Sequence, residues 1–163
     1  MFIKALILSL LLLLPFGASA NCDLSVKNVK AISKSYLDVI GSKKAGKPKL
    51  IVSNKKVKGY YAEELKGVIT IYPKSFKRQY CDQYFDSLTP FINKVIAHEY
   101  THFLDEKNSL SKKIGEKEMS EKTAEIGEHV FDMIAQASKT PPKKLSKADK
   151  KKFNKLLSFI NRR

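Results

Sequence analysis

At 163 residues with 43% hydrophobic side chains, the chain is long enough for one domain with its own core and too apolar for a disordered polymer. Its 31 Lys+Arg against 16 Asp+Glu leave a net charge of +15, which suits contact with anionic surfaces. The lysines are spread along the chain without a clustered stripe or interleaved aromatics, which argues against a specific nucleic-acid-binding module.

Residues 1–20, MFIKALILSLLLLLPFGASA, carry a lysine near the start, an apolar run from Ala5 to Leu14 and the small-residue ending Ala18-Ser19-Ala20. This is the three-part pattern of a secretory signal peptide, with cleavage expected after Ala20. The apolar run is too short for a comfortable membrane span. The expected product is a monomeric single domain over 21–163, secreted or periplasmic, with no transmembrane anchor and drawn to an anionic envelope surface by its charge. Export makes a disulfide between Cys22 and Cys81, the only two cysteines, the default expectation. Chain-entropy reasoning gives such a crosslink roughly 4 kcal/mol.

Residues 24–40 place Leu24, Val26, Val29, Ile32, Tyr36 and Ile40 at near-helical spacing, with Gly41 as a stop. LIVS (50–53), VKGYYA (57–62) and GVITIYP (67–73) read as strands of a small sheet with three or more strands. Thr89-Pro90 reads as a helix start, threonine as N-cap, with the helix running to about Glu106. After the polar stretch NSLSKKIGEKEM, Ser120 is positioned to cap a second helix reaching about Ser138. The tail, 146–163, sets Phe153, Leu156, Leu157 and Ile160 on one face and lysines on the other, as expected of a terminal helix docked on the core. The fold class expected is α+β.

His98-Glu99-Tyr100-Thr101-His102 fits H-E-x-x-H. On a helix, positions i and i+4 share a face, so both imidazoles can reach one zinc ion while Glu99 reaches a water beside it. Phe91, Val95, His98, His102 and Asp105 form one stripe, so the histidines continue an apolar face, and neutral imidazoles there need partners. A third ligand must come from elsewhere. Asp105, Glu116, Glu118, Glu121, Glu125, Glu128 and His129 are all open by position. Asp105, one turn past His102, fits better as a brace than as a third ligand from the same stripe. On the second helix Glu121 and Glu128 flank the core edge formed by Ala124, Gly127, Phe131 and Ile134, while Glu125 and His129 turn away.

H-E-x-x-H followed about twenty residues later by a glutamate on a second helix resembles the gluzincins, the thermolysin-like zinc metallopeptidases, and Glu121-Lys-Thr-Ala-Glu125 is similar to the glutamate helix of the anthrax lethal factor group. The resemblance covers roughly residues 90–135. It implies a zincin-like domain with one Zn2+ per chain held by His98, His102 and Glu121, and with Glu125 orienting the first motif histidine. It further implies peptide-bond hydrolysis in a peptide or protein substrate by a zinc-activated water, with Glu99 as general base and Asp105 supporting an imidazole. GVITIYP is then expected to be the edge strand that pairs with substrate. The family's oxyanion donor has no counterpart set by spacing; Tyr60, Tyr61, Tyr72, Tyr80, Tyr84 and His129 are candidates. The rival reading is a non-catalytic exported basic binding protein with a structural zinc or no metal, which has no use for a base at Glu99.

Overall fold

A computed structural model describes residues 23–41, 46–76, 88–135 and 146–161. Residues 1–20, expected to be a signal segment, lie outside the described residues, as do Tyr80, Tyr84 and both cysteines of the expected disulfide, Cys22 and Cys81. The first helix, α1 (Val26–Ile40), begins at Ser25, whose Oγ accepts from Asn28 N at 3.2 Å, and ends at Gly41, whose N–H reaches Leu37 O. Val29, Ser33, Tyr36, Leu37 and Ile40 are its buried stripe. Ser33 is tolerated there because its hydroxyl donates to Val29 O at 2.7 Å.

Three short strands follow: β1 (Lys49–Val52), β2 (Ala62–Leu65) and β3 (Val68–Ile71), in the order β1-β3-β2. β1 runs parallel to β3, Lys49 opposite Val68, and β2 runs antiparallel to it, Ala62 opposite Ile71. The second strand therefore starts at the end of VKGYYA instead of spanning it. Gly59 at φ +97° turns the chain, and Ser75 Oγ ties Val57 by accepting from its N–H and donating to its carbonyl, each at 2.8 Å. Lys66 and Gly67, both at positive φ, close the β2–β3 hairpin in two residues. GVITIYP supplies the central strand, both of whose edges are taken, so it is not the edge strand expected above; β2 is at the edge.

Helix α2 (Thr89–Asn108) runs through the middle, packed on β2 and β3, on α1 and on α4 (Glu121–Ala135); a short helix, α3 (Leu110–Ile114), follows it within the stretch read as a polar separator. Thr89 is the first residue of α2 and not its cap: Leu88 holds that position, without a side-chain cap bond. Ile92, Ile96, Ala97, Tyr100 and Leu104 of α2 are fully buried with Ile69 and Ile71 of the sheet, each large aliphatic contributing about 1.5–3 kcal/mol. The terminal helix α5 (Lys147–Asn161) buries Phe153 and Leu156 against this core, and Lys155 Nζ donates to Ile114 O at 2.7 Å. The architecture is α+β, a three-stranded mixed sheet with helices. Among the described residues no helix is long and apolar enough to cross a membrane.

Candidate metal centre

The H-E-x-x-H residues divide between two environments. Tyr100 and Thr101 are completely buried, Tyr100 stacking on Phe103 and meeting Phe131 edge-on. His98, Glu99 and His102 face a cleft of about 840 Å³ between α2, the β2 edge and the start of α4. The stripe Phe91, Val95, His98, His102, Asp105 is one wall of that cleft. Helical geometry does this directly, because Tyr100 and Thr101 fall on a different side of the helix from the two histidines.

Glu121, the first residue of α4, reaches across to both imidazoles. Its Oε2 lies 3.0 Å from His98 Nε2 and its Oε1 lies 3.5 Å from His102 Nε2. One donor atom from each of the three residues falls within 4.8 Å of the others. Donors about 2.1 Å from a tetrahedral zinc stand roughly 3.4 Å apart, so the three fit such an ion with small movements. The hydrogen-bond pattern around His98 calls for positive charge between its Nε2 and Glu121. Its Nδ1 is 2.9 Å from Glu128 Oε1 while its Nε2 faces Glu121, so serving both carboxylates takes two protons. Burial opposes that charge, but the hydrogen bond to Glu128 and the carboxylates of Glu99, Glu128 and Glu121 outweigh it and raise the His98 pKa. A divalent cation between Nε2 and Glu121 would replace the outer proton and leave Nδ1–H on Glu128. Burial and the neighbouring His98 hold the His102 pKa below its ordinary value, keeping that imidazole available as a neutral ligand.

Glu128, and not Glu125, is the second-helix acid bonded to His98. It is buried on α4 and also meets Lys94 Nζ at 3.4 Å through Oε2, whereas Glu125 is exposed and does not line the cleft. At about 100° per residue Glu128 falls between Glu121 and the core edge of α4, while Glu125 rotates to the solvent side; the seven-residue spacing was the available signal. Truncating it tests its bearing on the centre: if the three donors hold zinc, Glu128→Ala should bind it about 10–100-fold more weakly than the parent, measured by competition with a chromophoric chelator. Unchanged affinity would reduce Glu128 to a structural residue.

Asp105 lines the cleft, but its Oδ1 accepts from Ser111 N at 2.6 Å and so braces the α2–α3 turn instead of bonding an imidazole. Glu116 bonds Thr123 and Lys152, and Glu118 and His129 are exposed away from the cleft. Of the tyrosines, Tyr60 and Tyr61 line the cleft. Tyr72 donates to Glu63 Oε1 at 2.5 Å, and that bond is the main cause pushing its pKa up to about 12.

Glu99 is half-buried, and its desolvation pushes its pKa up to about 7; His98 opposes the rise, Glu121 adds to it, and the backbone N–H of Glu64 on β2 opposes it. A carboxyl near neutrality, bonded to the edge strand and beside the three donors, is placed to exchange a proton with a molecule in the cleft. The approach of α4 to α2 that makes all this possible occurs at Gly127, where a Cβ would lie 2.1 Å from Thr101 Oγ1. Comparison with protein-family models, with curated proteins and with solved structures finds no match to this chain.

Proposed function

We propose that the chain is an exported zinc-dependent endopeptidase with a zincin-like domain, in which His98, His102 and Glu121 hold one zinc ion and Glu99 is the general base. The observation that carries this reading is the convergence of two imidazole nitrogens and a carboxylate, from two helices, beside a half-buried glutamate whose pKa is near 7. Among the described residues the group has three donors, which suits a catalytic site with a position left for water or substrate better than a closed structural site. When bound, zinc would supply Lewis acidity towards a peptide carbonyl and a more acidic water.

The chain's own residues do the rest. Glu99, held in place by the Glu64 N–H, accepts the water's proton and returns it to the leaving amine. Glu128 fixes the His98 tautomer. β2, the edge strand on the cleft, offers an extended peptide a ladder to lie along. The test is elemental analysis of the purified protein together with cleavage of a denatured protein substrate. One zinc per chain, cleavage lost to a chelator and restored by zinc, and zinc lost in Glu121→Ala are the expected results. A metal-free protein, or cleavage indifferent to the chelator, would sink the reading.

The cleft also has a charge preference. Seven carboxyl groups and one lysine line it in a chain where Lys+Arg outnumber Asp+Glu 31 to 16, so its acidity is not inherited from composition. Peptides with Lys or Arg beside the scissile bond should be cleaved with kcat/KM about tenfold above otherwise identical peptides carrying Glu there, the ratio shrinking as salt rises. Equal rates would remove electrostatics from the specificity.

A further inference from the structure

We propose that Lys152, on the C-terminal helix α5, is a positioning residue for the metal centre, acting on Glu121 through Glu116 and Thr123. The inference rests on the reading of His98, His102 and Glu121 as a metal site.

Apart from the two imidazoles, Glu121 has little to hold it. Its side chain is 80% exposed, so where its carboxylate goes depends on the first turn of α4. First-turn amides have no intrahelical partners and are kept in place by caps. Here Ser120 is the cap, its Oγ accepting from Thr123 N at 3.2 Å and its carbonyl accepting from Thr123 N and Ala124 N at 2.9 and 3.0 Å. Thr123 is fully buried, and its hydroxyl is the hub of the assembly: it donates to Glu116 Oε2 at 2.6 Å and sits 2.9 Å from Ser120 Oγ. Lys152 Nζ closes the set by pairing with Glu116 Oε1 and lying 3.5 Å from Thr123 Oγ1. Burial opposes the Glu116 charge, but the hydrogen bonds from Lys152 and Thr123 outweigh it and keep the carboxyl below its ordinary pKa. A cation on α5 thus holds the loop before α4, the buried threonine and the capping serine as one unit that flanks Glu121 on both sides.

The rest of α4 is anchored separately, by the Gly127–Thr101 contact and by Ala124, Val130 and Phe131 in the core. Loss of the Lys152 clamp should therefore loosen the first turn without unfolding the helix.

The experiment compares the parent with Lys152→Met and Lys152→Arg in the full chain, measuring zinc affinity by chelator competition, metal-free urea stability, and hydrogen exchange at the Thr123 and Ala124 amides. Lys152→Met is expected to bind zinc about five- to tenfold more weakly, a step below the loss for a group that touches a ligand directly. Its Thr123 and Ala124 amides should exchange faster with the urea midpoint close to the parent's, and Lys152→Arg should restore both. Glu116→Gln, which keeps the shape and removes the charge, should reproduce the Met result and serves if Lys152→Met does not fold. Parent-like zinc affinity in Lys152→Met or Glu116→Gln, or failure of arginine to rescue, overturns the proposal. If the parent itself binds no zinc, the metal reading fails and takes the positioning role with it; faster exchange at those two amides would then still identify the clamp on α4.

Discussion

Glu99→Gln is expected to keep one zinc per chain, lose peptide hydrolysis by about 10²–10⁴-fold, and make the metal-free protein more stable at neutral and alkaline pH. Glutamine has nearly the same shape, and its carbonyl oxygen can still accept the Glu64 N–H, so the cleft should stay intact. What it loses is the ability to take a proton. The stability effect follows from linkage. Glu99 titrates near 7 in the folded protein against an ordinary value of 4.5, because burial disfavours its charged form. Between those values the unfolded chain is already ionised while the folded chain still holds its proton, so parent stability falls as pH rises through that window. Above about pH 7 the full penalty applies, at most about 3 kcal/mol, and the glutamine variant escapes it. Below about pH 4.5 the two should coincide. Urea midpoints of the chelator-treated proteins at pH 4 and pH 8, read beside peptide turnover, test both arms. A variant that still cleaves at the parent rate would remove Glu99 from the chemistry, and one no more stable at pH 8 would mean the site is wetter than its burial implies.

Gly127→Ala should damage both stability and zinc binding. The added Cβ would meet Thr101 Oγ1 at 2.1 Å, Cγ2 at 2.9 Å and Cβ at 3.0 Å. Rotating the threonine does not clear all three, because its Cβ is fixed to the α2 backbone and its hydroxyl is spent on Ala97 O at 2.9 Å. The helices must part. Alanine's better helix propensity returns about 1 kcal/mol, against an overpacking penalty of about 1–3 kcal/mol and often more where two backbones are this close. The net expectation is a lower Tm, by about 2–4 °C per kcal/mol in a chain of this size. Zinc affinity should fall further than stability does, since Glu121 and Glu128 ride on α4 and His98 and His102 on α2. Thr101→Ala in the same chain removes two of the three clashing atoms and should recover much of both losses. A Gly127→Ala protein at least as stable as the parent, with full zinc affinity, would show that the contact is looser than this packing requires.

The parts of the molecule readable from residue order were those governed by local periodicity. The stripe Phe91, Val95, His98, His102, Asp105 is the cleft wall, because side-chain direction on a helix follows from spacing alone. The terminal helix docks through Phe153 and Leu156 for the same reason, and Ser120 caps α4 because a hydroxyl next to unpartnered amides has only short-range work to do. The second strand was misplaced because Tyr60 and Tyr61 have strong β propensity and Glu63 and Glu64 do not; the turn at Gly59 and pairing with β3 overrode propensity. The edge position fell to β2 because sheet order is set by long-range pairing, which no local pattern encodes.

Residue order alone shows that two histidines and a glutamate share one helical face, that an acidic second helix follows at about twenty residues, and that an apolar stripe runs beneath both. Which acids meet the histidines is set by how the two helices pack. Glu121 and Glu128 are both on the approaching side of α4, Glu125 is not, and Asp105 is drawn off to Ser111. That choice depends on the rotation and separation of two helices, which are fixed where Gly127 admits Thr101, a contact between residues 26 positions apart that helical spacing within either segment does not reveal.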